Sequence, residues 1–184
     1  MNIGIDIDDT LTNTKELQTI YWKEYITNHP NNDYTEELPT NINQFGIPYI
    51  QAFWDIYREE LSFIPTFKEN ASKCLKMLKE AGFNIYIVTS RQKHRYNDLE
   101  NRIIKQFKEN NICFDYIITD SLDKGKTLKD NNIDILIDDS IEHIESAYKY
   151  NKIGIHFSNN SPYKYHTDNW LELYNILINI KNME

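Results

Sequence analysis

Three carboxylates crowd the segment Ile3-Gly4-Ile5-Asp6-Ile7-Asp8-Asp9-Thr10, at the end of an apolar run that reads as a buried strand. Carboxylates seldom belong to a core. Residues two apart on an extended chain point the same way, so Asp6 and Asp8 are expected to share a face, and beyond a parallel strand that face opens into a crevice. Neighbouring acids repel each other and stay ionised only if a cation, a lysine or amide donors join them. A divalent metal is the simplest such partner, and Mg²⁺, which prefers carboxylate and water oxygens, suits the set best. An acidic surface turn is the plain alternative, and it fits poorly beside Ile3, Ile5 and Ile7.

Three more polar groups fall at equivalent places. Thr89-Ser90-Arg91 follows the apolar run Phe83–Val88 and offers hydroxyls and free backbone N–H groups to a phosphate oxygen. Thr and Ser are also ordinary helix-entry residues, and Arg91 is either a contact to a second phosphate or to the inserted cap, or a solvated side chain near a helix start. Asp138-Asp139 follows the run Ile133–Ile137, a second acidic pair at a strand terminus. Ahead of it stands Asp123-Lys124-Gly125-Lys126-Thr127, which opens a short helix. One of Lys124 and Lys126 is placed to supply the compact positive charge that balances a phosphate and the carboxylates, and the other is solvated.

Positioning these groups requires an alternating α/β chain. Apolar, β-rich runs recur at Ile3–Ile7, Phe83–Val88, Phe114–Ile118, Ile133–Ile137 and Ile153–Phe157. The second and fourth are continuously apolar, so both faces must be covered, as in a Rossmann-like three-layer α/β/α parallel sheet. Helical periodicity predicts helices over Lys68–Ala81, ended by Gly82, and over Arg95–Asn110, Lys126–Asn131, Ile141–Tyr150 and Asp168–Lys181, the last capped by Asp168. About 75 residues separate the first two strands, against roughly thirty in an ordinary crossover unit. Something is inserted there. Thr14–Asn28 and Pro48–Leu61 carry helical spacing, with Asn-, Pro- and Thr-rich sequence between them, and predict a small helical cap over 13–67 on a core formed by 1–12 and 68–184. Such a cap is expected to choose the ligand and exclude water.

The 184 residues carry a formal charge of −8 with no Lys/Arg block, which disfavours a nucleic-acid polymer or an anionic membrane surface as partner. A small phosphorylated substrate stays compatible with that balance, and a homodimer is left open. Cys74 and Cys113 lack metal-type spacing and read as reduced packing residues. With no basic start and no apolar run of the roughly 20 residues a membrane helix needs, a soluble, cytoplasmic protein is expected.

In chain order these groups are Asp-x-Asp-x-Thr after the first strand, Thr-Ser after the second, a Lys, and Asp-Asp after the fourth. In this the sequence resembles the haloacid dehalogenase superfamily of phosphohydrolases across almost its whole length. Ile-Asp-Ile-Asp-Asp-Thr-Leu-Thr, Ile-Val-Thr-Ser-Arg and Leu-Ile-Asp-Asp-Ser further resemble its 5′(3′)-deoxyribonucleotidase-like branch and nearby bacterial nucleotidase-like proteins. The resemblance implies that Asp6 is a nucleophile forming an aspartyl phosphate and that Asp8 is the acid and base. It implies Mg²⁺ held by the Asp6 carboxylate, the Asp8 carbonyl and the second acidic pair, with Asp139 direct and Asp138 behind it, or the reverse. Thr89, Ser90 and the Asp9 amide would cradle the phosphate, and Lys124, preferred over Lys126, would complete the charge balance. The reaction so implied is phosphomonoester hydrolysis, with a nucleoside or deoxynucleoside monophosphate as substrate, or else a sugar phosphate or other small metabolite.

Substrate choice is less legible. Phe45, Tyr49, Phe53, Trp54, Tyr57 and Phe63 could stack on a nucleobase, yet Tyr49, Phe53 and Tyr57 are four apart and equally fit one packed helical face. His94, His143 and His156 show no ligand spacing and read as surface or partly packed; His29 and His166 lie in polar loops. A phospho-aspartate signalling domain shares acid pairs, Thr and Lys, but such a domain would carry its phosphoacceptor after the third strand, where Tyr116–Asp120 offers no match.

Overall fold

A computed structural model describes residues 1–28 and 47–183, with the side chains of 47–49 excepted. The chain divides into two compact units, Met1–Thr12 joined to Phe67–Glu184, and Asn13–Thr66.

The first unit is built on five strands, β1 Asn2–Ile5, β2 Asn84–Val88, β3 Tyr116–Ile118, β4 Ile135–Asp138 and β5 Ile153–His156. They form one parallel sheet in the order β3-β2-β1-β4-β5. The three central strands carry the continuous apolar runs, and Ile3, Ile5, Ile85, Ile87, Val88, Ile135, Leu136 and Ile137 are all fully buried. Successive strand residues point to opposite faces, so burial of Ile135, Leu136 and Ile137 together means that helices cover both sides. On one face Val88 and Leu136 pack with Leu128, Ile144 and Ala147, from α5 Lys124–Asp130 and α6 Ile141–Lys149. The remaining helices are α3 Ala71–Glu80, α4 Leu99–Glu109 and α7 Trp170–Lys181, with α3 against α7. Gly82, at φ +81°, supplies the left-handed residue just past α3. This is the Rossmann-like α/β architecture expected. Cys74 is buried, Cys113 is half-buried, and both are free thiols.

Most boundaries differ from the periodicity reading by a few residues, and three of the differences have a visible cause. The first strand pairs only to Ile5, although Ile7 stays fully buried, because the chain then curls around the Ile7 carbonyl, which accepts from Leu11 N (2.9 Å) and Thr12 N (3.0 Å). Asp6 and Asp8 therefore lie beyond the last paired residue of the strand, and Asp9, in the turn that follows, adopts φ +57°. The third strand begins at Tyr116, not Phe114, whose ring lies 5.6 Å from that of Phe107. The cap of α7 is Asn169, not Asp168: its side chain accepts from Leu171 N (2.9 Å) and Glu172 N (3.2 Å), because the helix starts two residues later than predicted.

The second unit contains α1 Thr14–Asn28 and α2 Ile47–Phe63. Phe53 is fully buried among Trp22 and Tyr25, with ring centroids 5.1 and 5.7 Å away, and Tyr57 sits 5.2 Å from Phe53 and 4.9 Å from Tyr21. Trp54 packs partly buried on the same cluster, and Phe63 is half-buried. The Phe53 and Tyr57 spacing thus serves helix packing; Phe45 and the Tyr49 side chain lie outside the described residues. Among the described residues no helix is long and apolar enough to cross a membrane.

Candidate active site

Strand register brings the two acidic segments together. Ile5 pairs with Ile137, and Asp6 N donates to the Ile137 carbonyl at 3.0 Å, so Asp6 lies beside Asp138, the last residue of β4, and Asp139, the next. One oxygen from each of Asp6, Asp138 and Asp139 lies within 4.8 Å of the others. This is the crevice where strand order reverses in a doubly wound sheet, the place at which such folds bind ligands.

Lys124 enters from the first turn of α5. Its fully buried ammonium donates to Asp6 Oδ1 and, at 2.5 Å, to Asp138 Oδ2. The helix start is fixed on both sides. The Asp123 carboxylate accepts from Lys126 N (3.1 Å) as a cap, and Ser146 Oγ of α6 donates to Asp123 (2.6 Å) while accepting from Gly125 N (3.0 Å). A Cβ on Gly125 would lie 2.1 Å from the Ser146 carbonyl oxygen, so only glycine permits this approach. Lys126, by contrast, points to solvent and pairs with Asp130 at 2.7 Å.

The charges are unevenly compensated. Burial pushes Asp6 up to about 7, reinforced by the Asp138 and Asp8 charges and opposed by Lys124. Burial likewise pushes Asp139 up to about 8, with Asp6, Asp138 and Asp9 adding to it. Burial also disfavours the Asp138 charge, but Lys124 and His143 outweigh it and hold that carboxyl below the usual range. The two partners of Lys124 thus move in opposite directions. The reason is physical: Asp138 has further donors, Ser140 N (2.9 Å) and His143 Nδ1 (3.0 Å), whereas Asp6 faces more negative charge. Lys124 itself is pushed up to about 12, since its two carboxylates overcome the burial that would lower it.

One lysine among three converging acids leaves negative charge that a hard cation would satisfy. The donor set is all oxygen, and Asp139 makes no side-chain hydrogen bond among the described residues, so the residues present fit Mg²⁺.

Asp8 is not part of this trio, although its charge acts on Asp6. The Arg91 fork grips it, with Nε to Oδ2 at 3.0 Å and Nη2 to Oδ1 at 2.8 Å. Arg91 is therefore not the solvated residue allowed by its place near a helix start: its side chain is 4 % exposed, against 38 % for Asp8. The loop after β2 is pinned as well. Thr89 is fully buried, its hydroxyl accepts from Arg91 N (3.2 Å), and its N–H donates to the Ile118 carbonyl (2.9 Å). Ser90 and Asp9 are half-buried nearby in sequence. Trp170, at the start of α7, donates through Nε1 to the Thr10 carbonyl (3.1 Å) and steadies the loop that carries Asp8 and Asp9.

Two histidines escaped the sequence reading. His143 binds both Asp138 oxygens, at 3.0 and 3.2 Å, and is not a mere surface residue. The available signal was its position in the first turn of the helix after Asp138, which returns over the strand end. His156 Nε2 donates to the Asp139 carbonyl at 2.9 Å, an assignment of the ring proton made from that acceptor.

No protein-family model matches the chain, and no curated protein matches it in sequence. Solved structures do. A haloacid dehalogenase-like hydrolase from Streptococcus pneumoniae aligns at TM-score 0.68 and 14 % identity, over 96 % of this chain and 97 % of that one. A predicted phosphatase from Clostridium acetobutylicum aligns at TM-score 0.70 and 18 % identity, over 97 % and 98 %. A predicted phosphoglycolate phosphatase from Haemophilus somnus aligns at TM-score 0.66 and 13 % identity, over 95 % and 96 %. The parallel sheet, its strand order and these full-length likenesses together give the chain the fold of haloacid dehalogenase-like hydrolases.

Proposed function

We propose that this chain is a Mg²⁺-dependent phosphomonoesterase acting on a small phosphorylated metabolite. The observation that carries the reading is the convergence of Asp6, Lys124, Asp138 and Asp139 at one sheet edge, with Asp8 on the adjoining loop. In this reading Asp6 attacks phosphorus in line, forming an aspartyl phosphate as the bond to the leaving oxygen breaks. Asp8 gives a proton to the departing alkoxide, then takes one from the water that releases inorganic phosphate and restores Asp6. Lys124 offsets charge on the transferring group, and Thr89, Ser90 and the Asp9 amide orient its oxygens. Asp6, Asp139 and the Asp8 carbonyl would hold Mg²⁺, with Asp138 behind them, and the ion would supply the positive charge that lets an anionic nucleophile meet an anionic ester.

The choice of a small metabolite over a nucleotide follows from the second unit. Phe53, the centre of the supposed base-stacking slot, is consumed by packing. A predicted phosphoglycolate phosphatase among the structural likenesses points the same way. We assign substrate choice to the Asn13–Thr66 unit by connectivity, since its chain leaves and rejoins the sheet unit beside the loop bearing Asp8 and Asp9, where Thr12 bridges Phe67. A receiver-type signalling domain is disfavoured, because such domains use the order 2-1-3-4-5 and not 3-2-1-4-5. The test is hydrolysis of p-nitrophenyl phosphate and of a panel of metabolite phosphates with Mg²⁺. Loss of turnover in Asp6→Asn and in EDTA supports the assignment, and undiminished turnover in Asp6→Asn overturns it. Nucleoside monophosphates leading the panel would replace the metabolite reading with the nucleotidase one.

A further inference from the structure

Arg91 stands where a phosphate ligand was expected, yet both nitrogens of one edge of its fork are spent on Asp8. The contact is bidentate, at 3.0 and 2.8 Å, between groups 83 residues apart, and this planar pairing fixes direction as well as distance. The arginine is itself held. Its N–H donates to the Thr89 hydroxyl, its carbonyl accepts from Asp120 N (2.9 Å), and the Asp120 carboxylate accepts from Lys93 N (3.1 Å) and the Thr119 hydroxyl (3.0 Å). Asp120 adopts φ +56°, turning the loop after β3 back onto this segment. The side chain of Asp8 is more than a third exposed, on a turn with no sheet pairing of its own. A carboxylate so placed would sample several rotamers unless something gripped it.

We propose that Arg91 is a positioning residue that aims the Asp8 carboxylate for proton transfer, and that it does not bind the transferring phosphate. The proposal rests on the phosphomonoesterase reading above. Its consequence is selective. In the first step the bond from phosphorus to the leaving oxygen breaks and Asp8 passes its proton to that oxygen. An alkoxide needs this proton, while p-nitrophenolate leaves without it. A misaimed Asp8 must therefore slow alkyl esters far more than aryl ones.

The experiment compares kcat/KM for β-glycerophosphate and p-nitrophenyl phosphate in the wild type, Arg91→Met, Asp8→Asn and the double variant, with Mg²⁺ present. This ratio ends at leaving-group departure and so isolates the step. In Arg91→Met the alkyl ester is expected to lose about 10- to 100-fold, the range spanned by misplacing a general acid, and the aryl ester less than about 3-fold. Arg91→Met added to Asp8→Asn should cost nothing more. Arg91→Lys, which keeps charge and length but only one prong, should fall between, and it serves as the test if the methionine variant does not fold. Equal losses for both esters, or a full further loss in the Asp8→Asn background, would show that Arg91 acts on the phosphate or on the fold and would overturn the proposal. Asp6→Asn separates the two levels: if it remains active on both esters, the phosphatase reading itself fails, whatever Arg91 does.

Discussion

Replacing Lys124 by Met tests the electrostatic heart of the site. The substitution keeps length and apolar packing but leaves Asp6 and Asp138, 8 % and 1 % exposed, without their shared counter-charge. Removing one partner of a buried ion pair costs about 3–5 kcal/mol. For a chain of this size each kcal/mol corresponds to roughly 2–4 °C in Tm, so a fall of about 6–20 °C is expected near pH 8. The loss should shrink near pH 5. There Asp6 and Asp139, pushed up to about 7 and about 8, already hold protons, and fewer bare charges remain to repel one another. Thermal unfolding followed by circular dichroism at both pH values, without divalent metal, reads the effect directly. The double variant Lys124→Met with Asp6→Asn should recover part of the loss at pH 8. A Lys124→Met melt within a degree of wild type at pH 8 would refute the charge balance, and with it the view that Lys124 holds the two acids together.

The raised carboxyls also set the pH response of the wild type. Their folded values exceed the unfolded 3.8, so the folded state binds more protons, and their contribution is greatest below about pH 4 and disappears as pH rises through 7 to 8. Mg²⁺ held as proposed would compete with those protons, so the rise in Tm on adding Mg²⁺ should be larger at pH 8 than at pH 5 and absent at both in a triple Asn variant of Asp6, Asp138 and Asp139. His143→Ala should lower kcat about 10- to 150-fold with KM little changed, since a hydrogen bond to a charged group contributes roughly 1.5–3 kcal/mol; His143→Asn, whose amide reaches the Nδ1 position, should restore most of it. Gly125→Ala should displace Lys124, because its methyl cannot coexist with the Ser146 carbonyl; a lower Tm and reduced turnover are expected, and an unchanged melt would show that the α5 start can shift freely.

The sheet and the acid pairs were legible because their signals are local. Unbroken Ile and Leu runs demand burial on two faces, and an acid immediately after such a run must lie at the strand end, as Asp6, Asp138 and Asp139 do. A lysine at the start of α5 was legible, but the residues left Lys124 and Lys126 open and only the resemblance preferred Lys124, with the helix expected to begin at Lys126; it begins at Lys124, behind the Asp123 cap. What escaped depends on distance in sequence. The Arg91–Asp8 pair joins two loops, and no periodicity in either points to the other. His143 looks like any helix residue until α6 is laid over β4. The aromatic spacing of α2 was ambiguous for another reason: a packed helical face and a ligand slot want the same residues, and the Trp22 and Tyr25 rings on α1 decide between them.

The placement of β1 between β2 and β4 has a kinetic consequence. Ile3 must find both Ile85 and Ile135, so the ladders that create the acidic corner are among the most remote in the sequence. Helical signal in a refolding chain should accordingly return before turnover does, because the last long loops to close are those that seat Asp6, the proposed nucleophile.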